Sequence, residues 1–249
     1  YGRNITTGVD VDDLKTYAFR STTVFKPTDD LQITIIGDYD REKDRNGQYH
    51  WIGEGGNTDE AGSPGQRAYD AIFGTRRFAE KARDVAGNYD PYYRRRTWGV
   101  MGDIQYQLGS IELRSITAYR KSKWVINNNL GGGEFASSLW AQGDKAKQFS
   151  EDFQISGSSE KFRWVVGAYY FHEKFDGWQQ VPINGLGFGL SDVYYDGYFA
   201  GGKIDTKAYA VYGQGTYNLT DKLSLTLGGR FSYEKKKITN QVEFTFASV

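Results

Sequence analysis

The sequence predicts an all-β chain, a segment of a transmembrane antiparallel β-barrel with about eight long strands, short turns at one end and long loops at the other. Three observations predict it. Glycine is frequent and proline rare, with 31 and 4 among 249 residues, which disfavours helix-rich folds. Aromatic residues make up 16% of a chain whose mean hydropathy is −0.64, which is typical of rings lying between apolar and wet surroundings. Segments of alternating apolar and polar residues also recur in pairs.

Each predicted pair of strands forms a hairpin around a short polar turn. The four hairpins comprise 14–26 with 31–41, 97–108 with 111–122, 148–157 with 162–175, and 207–218 with 223–236. Between them lie long stretches rich in Gly, Asn, Asp and aromatic residues, at 42–96, 123–147 and 176–206. Such long loops are uncommon in compact soluble domains, whereas outer-membrane barrels combine short periplasmic turns with long extracellular loops.

The last strand has the clearest alternation. Its apolar row is Leu223, Leu225, Leu227 and Phe231, and its polar row is Ser224, Thr226 and Arg230. An arginine facing lipid near the membrane midplane costs about 2–4 kcal/mol. We therefore expect the leucine row to face lipid and Arg230 to face the lumen.

The strands at 31–41 and 148–157 orient in the same way. Leu31, Ile33, Ile35 and Tyr39 are expected to face lipid, with Gln32, Thr34, Asp38 and Asp40 inward. Glu151 falls on the lipid face, so we expect it near the outer rim, where the penalty for a charge is small. The 111–122 strand is less regular, because Ser115 and Thr117 fall outward and Ile116 inward. A soluble two-layer sandwich would also explain apolar residues on both faces.

The first long loop is predicted to contain a helix. Ser63-Pro64 supplies a cap and a first-turn proline, apolar residues from Tyr69 to Phe78 have helical spacing, and Gly87 ends the pattern. At least one helical turn is therefore expected between Pro64 and Ala86.

Composition excludes several functions. The 31 basic and 31 acidic residues cancel, so nucleic acid is not expected as a partner. The chain has no cysteine, and its two histidines, His50 and His172, lack the carboxylate spacing of a metal site. No catalytic constellation can be assembled, so we expect no enzyme, no metal and no cofactor.

The loops carry the expected solute-binding residues. They are Trp51, Arg76, Arg77, Trp124, Trp140, Trp178, Tyr194 and Tyr195. Rings and guanidinium groups suit stacking on aromatic chelates. The alternative for each residue is an interfacial belt or packing within a loop. The run Arg94-Arg95-Arg96 is a second candidate, for anionic ligand or lipopolysaccharide, or else a solvated rim.

Four stretches resemble the barrel of TonB-dependent outer-membrane receptors. They are Leu113 to Arg120 (LRSITAYR), Phe149 to Ser156 (FSEDFQIS), Trp164 to Phe171 (WVVGAYYF), and the hairpin of Tyr209 to Tyr217 with Leu223 to Phe231. The resemblance covers all eight predicted strands and leaves the loops unmatched.

This resemblance implies a receptor of the Gram-negative outer membrane that imports iron-siderophore complexes or similar large solutes, energised through TonB. It also implies that 1–249 is a partial barrel domain, since the family's plug, TonB-contacting box and aromatic-ended final strand are not matched. Eight strands would form roughly a third of a 22-stranded wall. The implied partners are outer-membrane lipid, lipopolysaccharide, the solute, and the TonB complex through the missing N-terminal region.

Two other functions stay open at this point: a passive porin-like barrel and a soluble all-β ligand-binding module. The edges distinguish a small closed ring from a slice of a wider wall. We expect an open curved sheet in which 14–26 and 223–236 are free edges.

Overall fold

The computed structural model describes residues 2–46, 49, 79, 81–87, 89–129, 139–184 and 194–245. Within these ranges, ten strands form two antiparallel sheets. Their bounds are β1 Gly2–Arg3, β2 Asp10–Val11, β3 Thr16–Thr28, β4 Leu31–Asp44, β5 Tyr92–Leu108, β6 Ile111–Asn129, β7 Leu139–Ser158, β8 Phe162–Asn184, β9 Tyr194–Thr220 and β10 Leu223–Thr245. The eight predicted strands correspond to β3–β10, so the all-β prediction is confirmed.

The large sheet contains β3 to β10 in chain order, each strand antiparallel to its neighbours. Its first and last strands each pair on one side only, β3 with β4 and β10 with β9. Within the described part of the chain the sheet is therefore open, as predicted.

Short turns join successive strands at one end of the sheet, which we call the turn end. They leave two or three residues between strands, as in Asp29-Asp30 and Gly109-Ser110. Gly109 has a φ of 59°, a left-handed conformation that glycine adopts without steric cost. The predicted turns are thus confirmed, and we call the opposite end the loop end.

The strands extend further toward the loop end than predicted. Residues 123–129 and 139–147 pair in β6 and β7, and 176–184 and 194–206 pair in β8 and β9. The prediction of irregular structure was wrong over these ranges. Glycines such as Gly177 and Gly201 disfavour strands locally, yet a continuous ladder with both neighbours overrides that preference.

Cross-strand neighbours lie on the same side of a sheet, so the register defines two faces. The polar face includes the row Gln32, Gln105, Arg114, Gln154, Gly167, Tyr212 and Arg230. The opposite, apolar face includes the leucine row of β10, where Leu225 is 50% and Leu227 70% exposed. Because Arg230 lies over the polar-face rings of Tyr169 and Tyr212, the predicted alternation is confirmed.

Glu151 explains the irregular strand pattern. Its carboxylate lies on the apolar face and accepts hydrogen bonds from Ser115 Oγ, at 2.7 Å, and from Thr117 Oγ1. The outward hydroxyls of β6 therefore satisfy the outward charge of β7. The expected place of Glu151 at the outer rim was wrong, because it lies nearer the Ser158 end of β7 than the Leu139 end.

A small packed region lies at the loop end, where β1 and β2 meet the segment before β5. Val11, Val85 and Ala86 are buried there. The Asn4 side-chain amide donates to Gly87 O at 2.7 Å, and the Asn4 backbone forms an isolated parallel β-bridge with Val85. Most of the predicted helix, 64–78, lies outside the described residues, while Asp84 N–H donates to Lys81 O in a turn. No helix among the described residues is long and apolar enough to cross a membrane.

Candidate functional site

Charged side chains link neighbouring strands on the polar face. Arg114 of β6 donates two hydrogen bonds to Asp103 of β5, from Nε at 3.0 Å and from Nη2 at 2.7 Å. These bonds satisfy a carboxylate that is almost fully buried. The ion pair joins two diagonal neighbours on adjacent strands with a bidentate geometry, which is stronger than a single contact.

A hydrogen bond on the polar face passes over a glycine of an intervening strand. Tyr212 of β9 donates its hydroxyl to Asp152 Oδ1 of β7, at 2.7 Å, across Gly167 of β8. A Cβ at Gly167 would lie 2.4 Å from the Tyr212 ring. Glycine is therefore required at this position for the tyrosine to lie flat across β8.

Toward the loop end, Arg95 brings a second cluster together. Its guanidinium lies 3.0 Å from Asp40 and 2.9 Å from Glu42, both on β4. The run Arg94-Arg95-Arg96 is thus divided by strand alternation. Arg95 lies on the polar face, and Arg94 and Arg96 lie on the apolar face.

Trp124 lies on the polar face of β6, beside Tyr93 and Asp144. Its indole Nε1–H donates to Asp144 Oδ2, and its ring centroid lies 6.2 Å from that of Tyr93. The indole is held by a hydrogen bond at one edge and by an aromatic neighbour, so its ring has a defined orientation. Alternation along β5 and β7 would have identified Tyr93 and Asp144 as inward residues, but both were missed.

A groove of about 350 Å³ lies beside this cluster on the polar face. We call it the upper groove. Its lining includes Gln142, Asp144, Phe175, Gln179, Ile204 and Asn240. Gly177 provides the space, since the Phe175 ring lies 2.7 Å from where a Cβ at Gly177 would be. Aromatic, amide and carboxylate groups therefore converge on one concave surface, which is the arrangement expected of a small-molecule site.

The structure separates the predicted solute-binding residues. Trp124 and Trp140 lie on the polar face of adjacent strands, offset by four residues in the register, or about 13 Å along the strand. Trp178 lies on the apolar face opposite Gly143 and Gly201. Tyr194 and Tyr195 belong to β9, opposite Asn184 and Ile183. The other three predicted residues, Trp51, Arg76 and Arg77, lie outside the described residues.

Family and structural comparisons agree with this architecture. A family model described as TonB dependent receptor-like, beta-barrel, matches residues 30–248. The chain belongs to this receptor family. The family comprises receptors and transporters of the Gram-negative outer membrane rather than enzymes. No curated protein sequence matches the chain.

Among solved structures, the receptor-family chain is similar to the ferric yersiniabactin uptake receptor FyuA from Yersinia pestis, with a TM-score of 0.62 and 15% identity over 97% of this chain and 36% of that one. It is also similar to a chain of the FpvAI–pyocin S2 complex, with a TM-score of 0.59 and 14% identity over 93% of this chain and 32% of that one.

A third similar structure is BauA, the ferric preacinetobactin receptor from Acinetobacter baumannii, with a TM-score of 0.51 and 10% identity over 93% of this chain and 37% of that one. The receptor-family chain thus spans about a third of the length of the solved structures it matches. At these identities the likeness establishes the fold.

Proposed function

We propose that this chain forms part of the barrel wall of an outer-membrane receptor that binds iron-siderophore complexes or similar large solutes. The observation that carries the proposal is the upper groove beside the Trp124–Asp144 pair, on the polar face of a TonB-dependent receptor barrel. The three similar structures named above include two ferric-siderophore receptors, which supports the solute class.

The proposed orientation in the membrane follows from the two faces of the sheet. The exposed leucine row of β10 suits lipid, and the ion pairs of the polar face suit a wet lumen. The turn end would then lie in the periplasm and the loop end outside the cell. In this orientation the upper groove opens toward the extracellular side, where a solute would arrive.

The unpaired edges of β3 and β10 support a wall that continues into neighbouring strands of a wider barrel. We propose that import through this wider barrel is energised through the TonB complex, which would contact a part of the receptor outside this chain. Uptake of labelled ferric siderophore should stop when the TonB protein is deleted. Uptake that continues at the same rate without TonB would instead indicate a passive porin-like barrel.

Solute binding is tested with the receptor purified in detergent. Ferric catecholate, phenolate and hydroxamate siderophores would be titrated while the intrinsic tryptophan fluorescence is measured. Trp124→Ala and Asp144→Asn should each weaken binding of the preferred chelate by about tenfold, the loss of one well-placed ring or charged contact. Trp164→Ala is the matched control, because Trp164 lies on the opposite face of the sheet near the turn end and is not among the residues that line the upper groove.

The titration distinguishes three outcomes for the position of the solute site. A loss of affinity in Trp124→Ala and Asp144→Asn, with Trp164→Ala unchanged, supports a solute site at the upper groove. Equal losses in all three variants would indicate a general effect on folding and contradict the site. Full affinity in all three would place the solute elsewhere on the receptor.

A further inference from the structure

Two aromatic rings lie side by side on the polar face, next to the upper groove. Tyr93 of β5 and Trp124 of β6 are diagonal neighbours, because Tyr93 lies directly opposite Ile126. Their ring centroids lie 6.2 Å apart, with 35° between the ring planes. Both side chains are half-buried, so part of each ring is open to solvent. We call these two rings the aromatic pair.

Carboxyl groups lie on both sides of the aromatic pair. Asp144 of β7 is directly opposite Trp124, and its Oδ2 accepts the indole Nε1–H. Asp44 of β4 is directly opposite Tyr93. Glu42 lies two residues before Asp44 on the same face of β4. The aromatic pair is therefore flanked by acidic groups of β4 and β7.

One of these carboxyl groups is buried and only partly satisfied. Asp44 is 5% exposed, and its Oδ2 accepts a hydrogen bond from Asn46 Nδ2 at 2.8 Å. Its Oδ1 is buried as well and accepts no hydrogen bond from the described residues. A buried acceptor without a donor is costly. This side of the aromatic pair therefore favours a group that brings N–H donors or positive charge.

Acidic groups outnumber basic groups around the aromatic pair. In the described part of the polar face, the register rows through Asp40, Glu42 and Asp44 contain one cation, Arg95. Its guanidinium is bound by two carboxylates, Asp40 at 3.0 Å and Glu42 at 2.9 Å. Asp144 lies in the same rows and has no ion pair with a described residue. The arginine is thus compensated, and the other acidic groups are left over.

Two further cations lie next to these rows, just outside β3 and β4. Lys15 Nζ lies 2.7 Å from Asp13 Oδ2, and Arg45 Nη1 lies 3.9 Å from the same oxygen. Asp13 therefore engages both cations. Within the described ranges, no guanidinium or ammonium group lies over either ring of the aromatic pair. The exposed part of each ring thus remains open to a cation from outside the chain.

Asp144 connects the aromatic pair to the upper groove, since it contacts Trp124 and also lines the groove. The other residues of the groove lining are neutral, and they include the amides of Gln142, Gln179 and Asn240. A solute in the groove would therefore meet a carboxylate and no cation.

The rings and the acidic groups together favour one class of ligand. The face of a Trp or Tyr ring attracts a cation through its quadrupole, and aromatic cages recognise organic ammonium groups in this way. An anionic chelate would instead meet the acidic rows, where repulsion between like charges opposes its binding.

We infer that the aromatic pair and Asp144 bind an alkylammonium group of the solute, while the metal-chelating body of the solute occupies the upper groove. The solute would thus be a ferric chelate with a cationic amine. This inference rests on the proposed function and names the charge of its solute.

The test compares three forms of one chelate with the receptor purified in detergent. The chelate is a linear ferric trihydroxamate whose terminal amine is free, acetylated or succinylated, so the same metal-binding body is cationic, neutral or anionic. Tryptophan fluorescence gives a dissociation constant for each form. The amine form should bind about tenfold more tightly than the acetylated form, which is the gain from one ammonium group at an aromatic and acidic site. The succinylated form should bind most weakly.

Variants are compared by the ratio of the affinities for the amine form and the acetylated form. A general effect on folding changes both affinities alike, so the ratio isolates the ammonium contact. Asp144→Asn and Tyr93→Leu should each reduce the ratio from about tenfold towards equal binding. The matched controls are Asp176→Asn and Tyr92→Leu, which remove the same charge and the same ring on the opposite face of the sheet and should keep the ratio.

An amine preference that both variants lose and both controls keep supports the ammonium site. An unchanged ratio in Asp144→Asn and Tyr93→Leu, or an equal loss in the controls, would overturn it. Equal or tighter binding of the succinylated form would also overturn it and would leave the solute site at the upper groove intact. If none of the three forms bound, the inference would be wrong, and uptake of the other chelates would decide the proposed function separately.

Salt dependence provides a second readout. Raising the ionic strength should weaken binding of the amine form and leave the acetylated form nearly unchanged, because only the amine form binds through opposite charges. Equal salt dependence of the two forms would contradict a contact through the ammonium group.

Discussion

Arg120 of β6 donates two hydrogen bonds to Asp38 of β4, at 2.7 and 3.0 Å, across the intervening strand β5. The position between them on β5 is Gly99. A Cβ built at Gly99 would lie 3.1 Å from the Arg120 guanidinium, so the absence of a side chain there allows the arginine to cross. The contact joins residues 82 positions apart in sequence and ties three strands together.

Gly99→Val should therefore separate Arg120 from Asp38. Both side chains are partly exposed, so we expect a loss of about 1 kcal/mol in the free energy of unfolding, measured by urea titration in detergent micelles. Gly102→Val is the control on the same strand, because nothing lies within 4 Å of its Cβ position on the other face. Equal stability of the two variants would contradict the role assigned to Gly99.

The hydrogen bonds from Ser115 and Thr117 to Glu151 predict that removing the two donors destabilises the chain and that removing the charge as well restores its stability. Ser115→Ala/Thr117→Val removes both donors and leaves the Glu151 charge unsatisfied on the apolar face, which should destabilise the chain by roughly 1–3 kcal/mol. Adding Glu151→Leu should recover most of that loss, because the charge that needed the donors is gone. The three chains would be compared by urea unfolding in lipid vesicles. If the added Glu151→Leu deepened the loss, the proposed satisfaction of Glu151 would be wrong.

The assignment of the apolar face to the lipid side is tested with two variants of β10. Leu227→Arg should destabilise the vesicle-inserted chain by about 2–4 kcal/mol, the cost of an arginine on the lipid face near the midplane. Thr226→Arg places the same side chain on the polar face and should cost much less. The measurement is reversible unfolding from phosphatidylcholine vesicles. A larger cost for Thr226→Arg would mean that the two faces are assigned in reverse.

The contacts of Asp13, in the loop between β2 and β3, predict that acid lowers the stability of the packed region at the loop end. Burial would raise the pKa of Asp13, but the ion pair with Lys15 at 2.7 Å and the hydrogen bond from Arg45 N–H at 2.8 Å hold that pKa below its ordinary value of 3.8. A lowered folded-state pKa stabilises the fold above the unfolded-state pKa, and this stabilisation is lost as the pH falls through the folded-state value.

Asp13→Asn should therefore lower the unfolding temperature at pH 7 and have a smaller effect at pH 2. The temperature would be followed by circular dichroism between those two pH values. Asp12→Asn is a neighbouring control, since no ion pair of the Asp12 carboxylate is present among the described residues. A pH dependence unchanged by Asp13→Asn would show that other carboxyl groups determine acid unfolding.

Much of the candidate site could not be read from local pattern. Alternation predicted that Asp38 and Asp40 point inward, but which arginine each carboxylate contacts depends on the register between strands. Trp124 and Trp178 were both predicted as loop residues that bind solute, and they differ only in strand parity. That parity was hidden because the extension of β6 and β8 depends on pairing with neighbours.

The sequence by itself determined the all-β class, the four hairpins, the short turns and the two faces of the strands, because period-two alternation and turn residues are local properties. Tertiary structure alone decided the register. It brought Glu151 opposite Thr117, placed Gly99 between Asp38 and Arg120, and aligned Lys121 with Lys147 and Lys174. A shift of one residue would exchange the faces and break each of these contacts, so their specificity comes from pairing between strands.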